Sequence, residues 1–405
     1  MSSLDIRDSV ADITLFCKKI VAIPPKDRSM EKMREKKPKA ISLFSGAGGM
    51  DLGVEVAGFQ ILAQLELDEH CCSTLRAAKE RKKSDVLVLE GDVRKVEATK
   101  LRKDHGLRKK ELDLLFGGPP CQSFSLAGKQ RGLNDERGML LFEIIRFAKE
   151  LQPKVILLEQ VKGLLSSKGP LERRGEVFET FLSALEDAGY TPKWRTIVAA
   201  DFGVPQLRER LFVIATRGKN GFIFPERTHA PIEECNGLFS FEPYMSSGEV
   251  LKGLGKPAPK IKGTTFYERE DGHVDVTPPR DRERIEQVPE GSYLAAQTHL
   301  GEELRRGLKP KDTTKYLRLH RKKPSNTLRC GEIFYHPTED RYLTPREYMR
   351  IHGYPDDYIL KGPIRSRTGS VKNLDQHRQV ANSVPPPLAE ALAQEISAYL
   401  EKHFS

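Results

Sequence analysis

The sequence predicts an α/β protein: a doubly wound parallel sheet with a second, smaller and irregular domain. Three observations carry this reading. Short apolar runs without strict alternation recur from residue 40 onward, as strands buried on both faces should read. Their starts lie roughly 20–40 residues apart, with helix-like stretches in several gaps, which is the βαβ rhythm. After about Gly218 that rhythm stops, and the chain becomes rich in Gly, Pro and charge.

In chain order, residues 1–37 read as an N-terminal extension. Leu4, Ile6, Val10, Ile13 and Phe16 suggest an amphipathic helix, and "KDRSMEKMREKKPK" is a solvated basic connector. Residues 38–218 form the sheet domain. Its expected strands are "AISLF" (40–44), "QILAQLE" (60–66), "VLVLE" (86–90), "LDLLF" (112–116) and "KVILLE" (154–159), with "WRTIVAA" (194–200) and "RLFVIAT" (210–216) added. Helices are expected over 50–57, 69–82 and 138–151. Residues 219–330 are the irregular domain, ending in a stretch (305–329) with ten Lys/Arg and one acid. Residues 331–405 return to the sheet domain. There Thr344 serves as N-cap, Pro345 takes the first helical position, Glu347 completes a capping box, and a last helix covers 386–402.

The whole chain narrows the function classes. Its 67 Lys+Arg against 57 Asp+Glu give a net charge of +10, which suits a polyanionic partner such as nucleic acid. Cys17, Cys71, Cys72, Cys121, Cys235 and Cys330 form no C-x-x-C pair, so neither a metal site nor a disulfide framework is expected. Asp5, Asp8 and Asp12 interrupt the N-terminus, which does not read as a signal peptide, and no apolar run approaches the ~20 residues that span a bilayer. The expectation is a soluble cytoplasmic protein.

In a doubly wound sheet, ligands bind beyond the carboxyl ends of the strands. After the first strand comes "SGAGGMDLG" (45–53), a glycine-rich turn in which Asp51 stands where a dinucleotide fingerprint has its third glycine. After the second comes Glu66, an acceptor for ribose hydroxyls, and after the third Asp92, an acceptor for an adenine amino group. An ordinary βα turn with commonplace acids is the plain alternative; the glycines and two acids together favour an adenosyl pocket. After the fourth strand, "GGPPCQSFS" (117–125) sets Cys121 on a loop stiffened by two prolines. A free cysteine is more often a small buried hydrophobe, but this one is at the ligand edge. After the fifth strand comes Glu159, whose carboxylate at the end of an apolar strand should feel desolvation, favouring proton donation. A thiol, an acid and an adenosyl pocket suit one reaction: thiolate addition to carbon 6 of cytosine, which turns carbon 5 into a nucleophile for a methyl group.

At these residues the chain resembles the cytosine-5 DNA methyltransferases, from "ISLFSGAGGMDLG" to "QVANSVPPPLA", over roughly 40–405 and in the family's usual motif order. The resemblance implies a Rossmann-like methyltransferase sheet, S-adenosylmethionine as cofactor and double-stranded DNA as partner. It implies Cys121 in "PPCQSFS" as nucleophile and Glu159 in "LEQV" as its acid. Arg208 and Arg210 in "PQLRERLFVI" would help hold the cytosine carbonyl and the catalytic loop. Cofactor-pocket positions fall on Phe44, Ser45, Gly46, Gly48, Gly49, Glu66, Leu67, Asp92, Val93, Pro120, Leu140, Asn382 and Ser383. Residues expected at the DNA are Gln206, Thr327 of "PSNTL", and Arg321, Lys322 and Lys323. The compact form resembles prokaryotic members, implying a monomeric modification enzyme, with a restriction endonuclease as a possible functional counterpart. Two positions depart from the family pattern: Gln160 stands where Asn is usual, and Leu67 where an aromatic is frequent. A transfer-RNA cytosine-5 methyltransferase and a non-catalytic DNA-binding regulator of the same fold are the alternatives.

Overall fold

A computed structural model describes residues 37–120, 140–218, 221–235, 241–259, 271–309, 311–313, 315–365 and 374–404. The expected N-terminal helix and Cys121 lie outside the described residues. Pro38–Ser405 forms one compact unit.

Among the described residues, seven strands make the central sheet: β1 (Lys39–Leu43), β2 (Gln60–Glu66), β3 (Leu87–Glu90), β4 (Leu114–Gly117), β5 (Val155–Gln160), β6 (Tyr190–Val198) and β8 (Glu209–Arg217), in the order β3-β2-β1-β4-β5-β8-β6. A two-residue strand, β7 (Gln206–Leu207), stands apart and pairs in parallel with Ser325–Asn326. β1 to β5 are mutually parallel, as the spacing predicts. The other end of the sheet corrects the expectation. β8 inserts between β5 and β6 and runs antiparallel to both, so the sheet is mixed. Chain length explains this. A parallel return needs a crossover of roughly a dozen residues or more, usually a helix. Residues 199–208 hold only the short 3-10 turn Ala199–Phe202 and β7.

Helices α1 (Gly49–Val56) and α2 (Glu69–Lys82) lie where periodicity puts them, and α4 (Glu143–Leu151) occupies most of the span expected to be helical. Helices α3 (Ala98–Asp104) and α5 (Glu176–Asp187) are additions to the sequence reading. Alternate residues of each strand enter different cores. Ile41, Leu43, Leu115, Ile156 and Leu158 pack with Ile144, Phe147 and Phe181 of α4 and α5. Ala40, Leu114, Phe116, Val155 and Leu157 pack with Leu388, Leu392 and Ile396 of the last helix. Both faces are covered, so both strand positions are apolar and the alternation disappears.

The described part of 221–330 carries α6 (Ser247–Leu251), α7 (Pro279–Glu286) and two-residue strands. Its apolar residues Ile285, Val288, Leu317 and Leu328 join Tyr335, Tyr348 and Ile351 in a third core. Within that core α8 (Pro345–Ile351) begins as expected: Thr344 accepts from the Glu347 amide at 3.2 Å, and the Glu347 carboxylate accepts from the Thr344 amide at 2.7 Å. Helix α9 (Gln376–Asn382) leads into α10 (Pro386–Phe404).

α10 crosses α1 at Gly53, where an added Cβ would lie 2.4 Å from the Glu390 nitrogen and 2.5 Å from the Pro386 oxygen. Both neighbours are helix backbone, so the helices would have to separate. Alanine gains about 1 kcal/mol in helix propensity, whereas overpacking costs about 1–3 kcal/mol. Gly53→Ala is therefore expected to lower the thermal midpoint despite the better helix former. An unchanged or raised midpoint in calorimetry would contradict this close approach.

Candidate active site

Several of the expected site residues stand at the carboxyl ends of the parallel strands: Phe44 after β1, Glu66 at the end of β2, Asp92 after β3, Pro120 after β4 and Glu159 near the end of β5. β1 ends at Leu43, and the chain turns through Phe44, Gly46 and Gly48 with φ of 55°, 54° and 76°. The turn is tied to β2, because Ser45 donates its amide to the Leu65 carbonyl at 3.1 Å. Gly46 then donates its amide to the Glu66 carboxylate at 2.7 Å, and the other carboxylate oxygen accepts from the amides of Leu67 and Asp68 at 2.7 and 2.8 Å. Glu66 is thus fixed by backbone. Burial pushes its carboxyl up, and the three amides oppose that shift. In front of Gly46 an added Cβ would meet nothing within 4 Å, which leaves open space beside a rigid carboxylate. A carboxylate offers about four lone-pair sites, so with three taken by these amides Glu66 keeps about one for a ligand hydroxyl. Leu67, 38% exposed, supplies an apolar surface next to it.

Asp92 follows β3 and caps the short turn Val93–Lys95; Val93 itself is buried. Its carboxylate accepts from the Arg94 side chain at 2.7–3.0 Å and from the Arg94 amide at 3.0 Å, and Arg94 holds it below its ordinary value. To accept from an adenine amino group, Asp92 has to share lone pairs with Arg94. Leu140 packs half-buried against the core on the α4 side. Asp51, beneath the glycine turn, accepts from Gln64 at 2.8 Å; burial pushes its carboxyl up to about 7.

β4 delivers the proline loop. Gly117 is required there, since a Cβ would lie 2.2 Å from the Leu43 carbonyl oxygen. A Cβ on Gly118 would be 3.2 Å from the Glu159 carboxylate, so the start of the loop lies against that group. Gln160, buried at the end of β5, donates its amide to the Pro119 carbonyl at 3.0 Å and accepts from the Val161 amide at 2.9 Å. The departure at this position therefore anchors the proline loop. Its amide nature is legible in sequence; its partner, 41 residues away, is not.

Glu159, 9% exposed, faces two guanidiniums. Arg210 Nε lies 3.1 Å from its carboxylate and Arg208 Nη2 3.9 Å. Arg208 also donates to the Ala381 carbonyl at 3.0 Å, at the end of α9, where Asn382 accepts from the Cys330 thiol at 2.8 Å. Ser383 is buried and donates to the Val380 carbonyl at 2.8 Å. Among the described residues, no group of three or more His, Cys, Asp or Glu could hold a metal ion. No described helix is long and apolar enough to cross a membrane.

Comparison with known proteins identifies the family. Residues 38–398 fit the family model described as C-5 cytosine-specific DNA methylase. The chain belongs to this family. It is 33% identical to the Type II methyltransferase M.Eco47II of Escherichia coli, over 89% of this chain and 79% of that protein. It is 31% identical to the Type II methyltransferase M.NgoFVII of Neisseria gonorrhoeae, over 89% and 86%. In fold it is similar to an E. coli structure named as a prophage-encoded DNA modification methyltransferase, with a TM-score of 0.65 at 21% identity, covering 90% of this chain and 99% of that one. The protein is a DNA cytosine-5 methyltransferase, an activity that requires a methyl donor.

For this methylase, the residues expected at the DNA divide. Gln206 has no exposed surface: its amide group lies 2.9 Å from His352 Nδ1 and its oxygen accepts from the Leu328 amide at 3.1 Å. Thr327 donates its hydroxyl to the Leu207 carbonyl at 3.0 Å. Arg321 is bound to Glu290 at 2.7–3.0 Å, and that pairing, chiefly, holds the Glu290 carboxyl down at about 2. Lys322 and Lys323 are exposed.

The Gln160 anchor yields a prediction. Gln160→Ala removes the donor on Pro119, and a misplacement of about 1 Å near reacting groups can cost about 10²-fold. Single-turnover methylation is expected to fall by about 10- to 100-fold while cofactor affinity holds. A rate within about twofold of wild type would show that the loop does not depend on this bond.

Proposed function

We propose that the enzyme transfers the methyl group of S-adenosylmethionine to carbon 5 of a flipped-out cytosine in a specific duplex sequence, with Cys121 as nucleophile and Glu159 acting at N3. The observation that carries this reading is the position of Glu159, buried beside Gly118 and facing Arg210 at 3.1 Å, where the proline loop leads to Cys121. The glycine turn with its fixed Glu66 fits a ribose, so Phe44, Ser45, Gly46, Gly48, Gly49, Glu66 and Leu67 would hold the adenosyl group, with Asp92, Val93, Pro120, Leu140, Asn382 and Ser383 around it. Bound there, S-adenosylmethionine supplies an electrophilic methyl group.

The chain's residues do the rest. Carbon 6 of cytosine is shielded in a duplex, so the base must leave the stack at a cost of a few kcal/mol. The Cys121 thiolate forms a bond to carbon 6, while Glu159 in its acid form donates toward N3 and takes up the charge pushed into the ring. Arg210 and Arg208 face Glu159 and orient its carboxyl group. Carbon 5 then carries the nucleophilic electron pair. After it is methylated, loss of the carbon-5 proton to a base, departure of the thiolate from carbon 6 and return of the N3 proton to Glu159 restore the neutral aromatic ring and the acid.

Residues of about 219–330 would choose the DNA sequence, since the sheet edge is committed to base and cofactor. Similarity to Type II methyltransferases favours a modification enzyme paired functionally with an endonuclease of the same site; it would act on nucleoid DNA in the cytoplasm as a monomer, forming no stable complex with that endonuclease.

Cys121→Ala is expected to abolish turnover and to end covalent trapping of DNA containing 5-fluorocytosine, because fluorine does not leave as a proton does. Glu159→Gln, run beside it, should slow single-turnover methylation by about 10²-fold or more. Persistent trapping in Cys121→Ala would remove the nucleophile assignment; an undiminished rate in Glu159→Gln would remove the acid.

The basic segment gives a second test. Arg321 already has a carboxylate partner, so Lys322 and Lys323 are the stronger candidates for phosphate contacts. Neutralising both should weaken cognate and random DNA alike and reduce the salt slope by up to roughly one unit per contact. Unchanged affinity and slope would make these lysines solvated surface, and a changed methylation sequence would make them base readers.

A further inference from the structure

Outside the catalytic edge stands the buried imidazole of His352, which caps the end of α8 and has no exposed surface. Its Nε2 lies 3.0 Å from the Ser383 carbonyl oxygen and its Nδ1 2.9 Å from the Gln206 amide nitrogen. These partners settle the tautomer. A carbonyl oxygen only accepts, so Nε2 carries the proton. Nδ1 is then a lone pair that accepts from the Gln206 amide. That orientation leaves the Gln206 oxygen facing the Leu328 amide, which donates to it at 3.1 Å. Burial drives the imidazole pKa well below its ordinary value, and the Arg208 charge adds to that, so the neutral ring persists at working pH.

The relay joins three segments far apart in sequence. Leu328 ends the stretch whose Ser325–Asn326 strand pairs with β7. Gln206 lies in β7, two residues before Arg208 and four before Arg210, the groups that face Glu159. Ser383 follows Asn382 at the cofactor edge.

We propose that His352 is a positioning residue for the methylation step: its Nδ1 fixes β7, and through it the Arg208–Arg210 strand against Glu159, while its Nε2 fixes the Asn382–Ser383 segment beside the cofactor. The proposal rests on the assignment of Glu159 and S-adenosylmethionine made above. It goes beyond that assignment in giving the two nitrogens of one ring two separable tasks.

The two tasks can be tested apart, because an Asn oxygen can replace Nδ1 and a Gln amide can replace Nε2. In the full-length enzyme, His352→Leu is expected to lower the single-turnover rate on unmethylated bacterial genomic DNA by at least about tenfold and to weaken S-adenosylmethionine binding in calorimetry. His352→Asn should recover most of the rate but not the cofactor affinity. His352→Gln should recover the affinity but not the rate. The 15N spectrum of the wild-type ring should show a neutral Nε2–H tautomer that does not titrate between about pH 6 and 9. If Asn and Gln behave alike in both measurements, or if the ring is protonated on Nδ1, His352 only fills space and the proposal falls. Should His352→Leu fail to fold, the Asn and Gln pair and the spectrum still decide. Glu159→Gln measured in parallel keeps the readings distinct: an undiminished rate there removes the acid, while the cofactor readout of His352→Gln still reports on the relay.

Discussion

The site depends on a buried carboxylate meeting a guanidinium at the end of a strand, and that meeting depends on chain direction. Glu159 lies near the carboxyl end of β5. A parallel neighbour would bring its own carboxyl end there, and the arginines at the start of β8 would lie at the opposite edge. Because β8 runs antiparallel to β5, with Glu159 opposite Phe212, its first residues stand beside the last residues of β5. The hairpin between β6 and β8 thus delivers Arg208 and Arg210 to a carboxylate that would otherwise be desolvated without a partner. Removing one member of a buried pair costs about 3–5 kcal/mol, so the two strands constrain each other in stability as well as in chemistry.

The same edge shows how close approach is arranged. Gly117 lets β4 lie against β1, and Gly118 lets the proline loop pass Glu159. Gln160 then fixes the loop from beneath by its bond to Pro119. Glu66, on the other side of β1, is held by three amides before any ligand arrives. Glu66 and the start of the proline loop are therefore positioned before any ligand binds, and this reduces the ordering cost of binding.

Much of this was legible in the sequence, and the rest was not for identifiable reasons. The parallel strands could be read because burial on both faces leaves unbroken apolar runs, and the Thr344–Glu347 cap because its two partners are three residues apart. Strand direction could not be read: an apolar run is the same in either sense, and only the short 199–208 connection hints at reversal. Glu66, Glu159 and the two arginines were legible from motif position, whereas the burial of Gln206 was not, since His352 lies 146 residues away. Arg321 in a basic run looks available to phosphate until Glu290, 31 residues earlier, folds onto it.

That last case limits what a basic run can signify. Net charge over a segment counts cations, but DNA affinity counts the cations that release counterions when they meet phosphate. A cation already paired with a carboxylate gains less, because contact with phosphate gives up the existing pair. Arg321 binds Glu290 through two nitrogens in the fork geometry that makes Arg–carboxylate pairs the stronger kind, and its backbone amide adds a third contact at 2.6 Å. This pairing fixes the loop from which Lys322 and Lys323 project. Within one basic tripeptide, then, the arginine sets the position of the backbone, and the two lysines project into solvent.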